Sequence, residues 1–317
     1  MAKLGPNPLR GKFWRQGNGL YRKFIQSAWA ILTNGNLKGF LTGEIYTGRS
    51  KALCLPGLNC YSCPGSLGAC PMGALQAALG SARARFPFYV VGFLLAVGVL
   101  LGRLVCGFLC PFGLIQELLH RIPFVKKFKR FPGDRGLRFL KYLILLVFVM
   151  LLPLFAVDAV GTGAPWFCKL ICPAGTLEGG IPLVFQNPML QGMLGFLYTW
   201  KLGILVAVLL LSILIYRPFC KYLCPLGAIY GLLQRISVYR YRVDEGKCTR
   251  CGHCERVCPM NLDPVRECNH RECVRCGSCR EKCPTGAITG GWRERPTGTG
   301  KAESESRQGA LTAFTEK

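Results

Sequence analysis

The sequence predicts an α-helical membrane protein, with three to four transmembrane helices in two tandem helix–cysteine-loop repeats, followed by a small cysteine-rich α+β domain. Three observations carry that prediction. Half of the 317 residues are hydrophobic (50%), and mean hydropathy is positive at +0.29. There are 19 cysteines, in a chain too long and too apolar for a disulfide-stapled mini-domain. The cysteines also recur at fixed spacings beside apolar runs.

Three runs are apolar enough to cross a hydrocarbon core about 30 Å thick: Phe86 to Leu104, Leu137 to Val157 and Leu194 to Tyr216. A weaker stretch, Leu20 to Leu32, reads as a shallow or half-buried helix. Arg103, Arg138, Lys141 and Lys201 lie toward the ends of these runs, where long cationic side chains are expected to snorkel to the interface. Arg121, Lys126, Lys127, Lys129, Arg130 and Arg135 crowd the link between the first two strong runs, whereas 158–193 contains the single basic residue Lys169. By the positive-inside rule that link and the basic N-terminus are cytoplasmic. The formal charge of +24 is therefore read as membrane topology. Nucleic acid is not an expected partner, since no basic-aromatic recognition module accompanies the charge. The resulting domains are a basic N-terminal segment (1–19), membrane repeats at 20–136 and 137–240, a cluster-binding domain at 241–290 and a disordered tail at 291–317.

Cys70-Pro71-Met72-Gly73, Cys110-Pro111-Phe112-Gly113, Cys172-Pro173-Ala174-Gly175 and Cys224-Pro225-Leu226-Gly227 share one pattern. Three have a partner four residues earlier, giving Cys106/Cys110, Cys168/Cys172 and Cys220/Cys224. Proline ends one helix and opens the next, while glycine lets the turn bring amides close to cluster sulfurs. Two loops of two thiolates supply the four ligands of a cubane. Cys106, Cys110, Cys220 and Cys224 are thus expected to hold one [4Fe-4S] cluster on the inner side. Cys168 and Cys172 would pair with two of Cys54, Cys60, Cys63 and Cys70, with Cys63 and Cys70 preferred, on the outer side. The competing readings are buried cysteine as a small hydrophobe and, for Cys54 and Cys60, a disulfide on an oxidising face.

Cys248, Cys251, Cys254 and Cys258-Pro259 form a CxxCxxCxxxCP run, repeated by Cys273, Cys276, Cys279 and Cys283-Pro284. In two-cluster ferredoxins the fourth cysteine of each run ligates the other cluster. The expected ligand sets are Cys248, Cys251, Cys254 and Cys283 for one cluster, and Cys258, Cys273, Cys276 and Cys279 for the second. Zinc ribbons use paired rather than fourfold runs, which disfavours zinc. Cys268 fits neither run and reads as an unligated thiol.

With these motifs in hand, the stretch from about 85 to 290 resembles the NapH/NosR-type membrane 4Fe-4S polyferredoxins, in which CxxxCP membrane motifs precede a double ferredoxin module. That resemblance implies electron transfer at the cytoplasmic membrane, with the ferredoxin-like domain on the cytoplasmic side and a redox partner protein or a quinone as exchange partner. The alternatives are an accessory factor supplying electrons for metalloenzyme assembly and, less supported, a redox sensor. The role is that of an electron-transfer subunit, as in a quinol dehydrogenase complex, and no catalytic residue is nominated. The three histidines, His120, His253 and His270, lie outside the predicted spans, so no haem is expected. No GxGxxG fingerprint for a dinucleotide follows a strand.

Overall fold

The computed structural model describes residues 18–81, 87–123, 127–128, 133–158 and 162–292. The basic segment up to residue 17, Phe86, Lys126, Lys129, Arg130 and the tail beyond residue 292 lie outside the described residues.

Helix α1 (Asn18–Thr33) packs through polar side chains, which is why its hydrophobic signal is weak. Buried Arg22 donates to the Gly107 carbonyl at 3.0 Å and pairs with Glu117, while Gln26 donates to the Cys110 carbonyl at 2.8 Å. The first strong apolar run yields α3 (Phe88–Leu101), after α2 (Pro71–Leu79). With about 1.5 Å of rise per residue, α3 is roughly 21 Å long, short of a full bilayer core. It stops at Gly102, whose φ of 55° is left-handed and favours glycine. Helix α4 (Pro111–His120) follows.

The other two runs form long helices. Helix α5 spans Asp134–Ile144, continues through a π-helical segment at Leu145–Leu151, and ends with Leu152–Phe155. Helix α6 is Phe196–Leu214. Gly136–Phe155 and Phe196–Leu214 are the two described helices long and apolar enough to cross a membrane. Their apolar side chains, among them Phe139, Leu143, Phe155, Phe196 and Leu210, remain exposed, unlike the core helices of a soluble domain.

After α7 (Pro225–Leu233), strand β1 (Tyr239–Val243) pairs antiparallel with β2 (Ile288–Trp292), Tyr239 facing Trp292 and Val243 facing Ile288. Everything between them is loop and short helix wrapped around the cysteines.

The C-terminal module is docked through charge. Arg103 and Lys141 do not snorkel. Both are fully buried, Arg103 bonding Glu272 at 2.7 Å and Lys141 pairing with the other oxygen of the same carboxylate. The reason is Glu272 itself: two cations buried among the apolar helices need a buried anion, and the module supplies it. Those cations hold the Glu272 carboxyl down at about 2 despite its burial. Arg138 reaches Asp134 at 2.6 Å and the Met260 carbonyl at 3.2 Å, and Arg275 of the module donates to the Leu101 carbonyl at 2.8 Å.

Candidate metal centres

All four Cys-Pro motifs adopt one local structure. Cys70, Cys110, Cys172 and Cys224 are extended residues capping a helix N-terminus, and Pro71, Pro111, Pro173 and Pro225 take its first turn, where the missing N–H leaves no acceptor unsatisfied. Three residues on, the amides of Gly73, Gly113, Gly175 and Gly227 turn back to the cysteine sulfurs. The last of these bonds is 3.4 Å long. Each sulfur thus sits at the positive end of a helix and accepts an amide hydrogen bond, a setting suited to a thiolate carrying metal.

The inner pairs meet. Cys106, Cys110, Cys220 and Cys224 line one enclosed cavity together with Pro56, Gly57, Leu58, Val105, Leu226 and Gly227. They come from loops more than a hundred residues apart in sequence. All four are buried, and burial pushes the Cys110, Cys220 and Cys224 thiols up. A thiolate here needs compensating positive charge. Arg103 and Arg217, each three residues ahead of a cysteine, provide part of it from full burial, donating to the Cys220 carbonyl at 3.1 Å and to the Cys106 carbonyl. Gln116 clamps the loop from the side: its Nε2 lies 3.4 Å from Cys220 Sγ, and its Oε1 accepts from the Phe219 amide at 3.2 Å.

In the C-terminal module the crossed ligand sets are both gathered. One cavity is lined by Cys248, Cys251, Cys254 and Cys283, another by Cys258, Cys273, Cys276 and Cys279 with Cys268. The loops are built alike, with Arg250 and Arg275 left-handed at φ 52° and 51°, followed by Gly252 and Gly277 at 68° and 86°. Burial pushes Cys273 up to about 12. Cys268 lies at the wall of the second cavity, and burial raises it to about 11.

On the outer side the structure gathers Cys70, Cys168 and Cys172. The Cys63 thiol donates to Asn34 Oδ1 at 3.5 Å and is an electrostatic neighbour of Cys60. The electrostatic neighbours of Cys168 and Cys172 include Cys60 and Cys70. All 19 cysteines are free thiols, Cys54 and Cys60 included. The sequence reading put the inner and outer thiols on opposite faces if the Leu20–Leu32 helix crosses, whereas the structure makes the two groups neighbours. The 54–60 loop runs between them, so that the adjacent amides of Leu58 and Asn59 bond Cys110 and Cys70 respectively. Two side chains pin that loop, Tyr230 donating to the Pro56 carbonyl at 3.0 Å and Glu178 accepting from the Cys60 amide at 2.7 Å.

Four thiols around each cavity, with amide donors aimed at the sulfurs, fit a [4Fe-4S] group at the inner site and at both sites of the module. Among the described residues, no three His, Cys, Asp or Glu side chains converge tightly enough to hold a single metal ion.

Comparison with known families decides the class. A model described as a 4Fe-4S binding domain matches residues 86–132 and 198–243, each match containing one inner pair, and a second model of the same description matches 241–262 and 269–289. The chain contains 4Fe-4S binding domains. Relatives of this iron-sulfur protein include an uncharacterized protein of Methanocaldococcus jannaschii, 27% identical over 54% of this chain and 57% of the relative. The methylamine utilization ferredoxin-type protein MauN of Paracoccus denitrificans is 28% identical over 60% of each chain. The regulatory protein NosR of Pseudomonas aeruginosa is 30% identical over 55% of this chain and 22% of NosR. These matches bear out the resemblance to the NapH/NosR type. The chain spans about half the length of the curated relatives it matches. No solved structure matches it.

Arg217, Gln116 and Tyr230 escaped the sequence reading, as did the place of Arg103 at the inner site. The signal for the arginines was available, since Arg103 and Arg217 occupy the same place ahead of the two inner CxxxCP motifs.

Proposed function

We propose that this chain is a membrane-bound electron-transfer protein holding three [4Fe-4S] groups, one between the inner cysteine pairs and two in the C-terminal module. It passes electrons between the membrane, with a quinone as candidate partner, and the cytoplasmic side. Such a group supplies one-electron storage and transfer at each site. The protein's own part is ligation, spacing and charge.

The observation that carries this reading is the direct seating of one thiol site on the next. Gly107, inside the inner motif, lies so close to the module that a Cβ there would come within 2.5 Å of the Val274 carbonyl, between Cys273 and Cys276. Gln234 continues the link, accepting from the Arg103 amide at 2.9 Å and donating to the Cys273 carbonyl at 3.0 Å. The side of the membrane is inferred from charge. The module packs at the end of α5 and α6 where Lys127 lies, and Phe128 there donates its amide to Leu214.

Iron analysis and EPR of the reduced, purified protein test the reading. At least about twelve irons per chain are expected from three cubanes, and about eight would confine them to the C-terminal module and overturn the membrane site. Cys110→Ala and Cys224→Ala should abolish the same centre. Reporter fusions after Arg130, Glu178 and Tyr241 test orientation, an outward signal at Tyr241 overturning it. Quinol oxidation by reconstituted protein tests the partner.

A further inference from the structure

The outer thiols lie outside both family matches, yet they repeat the inner site residue for residue. Cys70, Pro71, Gly73 and Gln76 correspond to Cys110, Pro111, Gly113 and Gln116, and Phe167, Cys168, Cys172 and Gly175 to Phe219, Cys220, Cys224 and Gly227. The contacts repeat as well. Gln76 Nε2 lies 3.4 Å from Cys168 Sγ, and Gln76 Oε1 accepts from the Phe167 amide at 2.9 Å. The Cys172 amide donates to the Phe167 carbonyl at 3.0 Å, as the Cys224 amide does to Phe219 at 2.9 Å.

Of the four cysteine positions, one breaks the match. Where the inner site has Cys106, the outer site has Ser66, fully buried and turned into its own loop to donate to the Gly68 carbonyl at 2.8 Å. Three ligands remain, one short of a cubane. Cys60 stands where the fourth is needed. Its Sγ lies 3.5 Å from where a Cβ on Gly175 would be, at the first turn after Cys172, and the position of Gly73 faces Cys168 Sγ at 4.0 Å. Both glycines leave room facing these sulfurs. Glu178 fixes the Cys60 backbone at 2.7 Å, while Cys63, three residues on, is engaged by Asn34.

The geometry points to a second membrane [4Fe-4S] site, ligated by Cys60, Cys70, Cys168 and Cys172, in which Cys60 from the bridging loop replaces the cysteine that the inner motif carries at the position of Ser66. This rests on the reading that paired loops of this fold hold clusters. The Leu58 and Asn59 amides would then touch sulfur ligands of two neighbouring clusters from adjacent residues, whose Cα atoms are about 3.8 Å apart.

The test is iron and acid-labile sulfide content, with Mössbauer and EPR spectra, of full-length protein reconstituted with iron and sulfide. Wild type should hold about sixteen irons in four cubanes. Cys60→Ala, Cys70→Ala and Cys168→Ala should each lose about four of them and the same centre, with the ferredoxin signals retained as the measure of folding, whereas Cys63→Ala should lose none. Loss in Cys63→Ala together with retention in Cys60→Ala would overturn the assignment. About twelve irons in wild type, falling to about eight in Cys110→Ala, would overturn this site and leave the inner one standing. About eight in wild type would overturn both.

Discussion

At the inner thiol site Arg103 and Arg217 stand three residues ahead of Cys106 and Cys220, fully buried and bonded to the opposite loop's backbone. At the outer site the corresponding positions are Cys63 and Pro165. The outer surroundings are Lys51 near Cys63 and Cys60, Lys201 toward Cys168, and Glu178, whose carboxyl burial raises to about 7. The Cys-Pro turns, the glycine amides and the glutamine clamps are the same at both. The two sites therefore separate two jobs that a motif search merges: the Cys-Pro turn fixes sulfur geometry, whereas residues outside it fix charge. Since net charge and hydrogen bonding to sulfur tune cluster potentials, clusters at the two proposed sites would share one scaffold at two electrical settings, with the inner site expected at the higher potential.

The most severe test is ligand removal. Cys224→Ala should erase the inner centre and leave the outer thiols' centre, while Cys172→Ala should do the reverse. EPR of reduced membranes distinguishes them, and loss of one shared signal in both variants would merge the two sites into one. Next in size is charge. A buried unit charge about 7 Å from a redox centre, in an effective dielectric of about 20, contributes roughly 2 kcal/mol, which for one electron is on the order of 100 mV. Redox titration of Arg217→Gln should therefore lower the inner potential by up to about that amount, with Arg217→Lys retaining most of it. An unchanged midpoint would mean that the guanidinium acts in folding alone.

Smaller effects should come from the clamps. Gln116→Leu removes one donor to Cys220 and should lower the inner midpoint by tens of millivolts, at roughly the 1 kcal/mol expected of a single hydrogen bond, without moving the outer one. Gln76→Leu should show the mirror pattern through Cys168. A shift of both midpoints by either variant would make the clamps general packing elements. The smallest expected change is in Tyr230→Phe, which frees the Pro56 carbonyl and should slow electron exchange between the two membrane sites a few-fold, measurable by rapid-freeze EPR.

The ferredoxin runs and the inner pairs were legible because their ligands are spaced by covalent geometry along a turn, and turn geometry repeats wherever the sequence repeats. The long helices α5 and α6 were legible from hydropathy alone. What hydropathy could not show is that Arg103 and Lys141 turn inward, because their counter-ion, Glu272, lies more than a hundred residues downstream in another domain. The choice between Cys60 and Cys63 was hidden for a related reason. On the proposed ligation it would be made by Asn34 and Glu178, side chains from two distant segments, and not by cysteine spacing. The closeness of the two membrane sites was equally invisible, since a loop threading between helices leaves no periodicity.

The ion triad of Arg103, Lys141 and Glu272, with Val274 seated on Gly107, has a consequence for biogenesis. It makes the C-terminal module a fixed lid over thiols that are at most 7% exposed. Loading of the inner pairs would be fastest while that lid is up, and reconstitution of the finished protein would need it to open. Translation runs from the N-terminus, so both inner cysteine loops emerge before Glu272 exists, and the order of synthesis would itself provide an interval in which the proposed inner centre could be loaded before the protein closes over it.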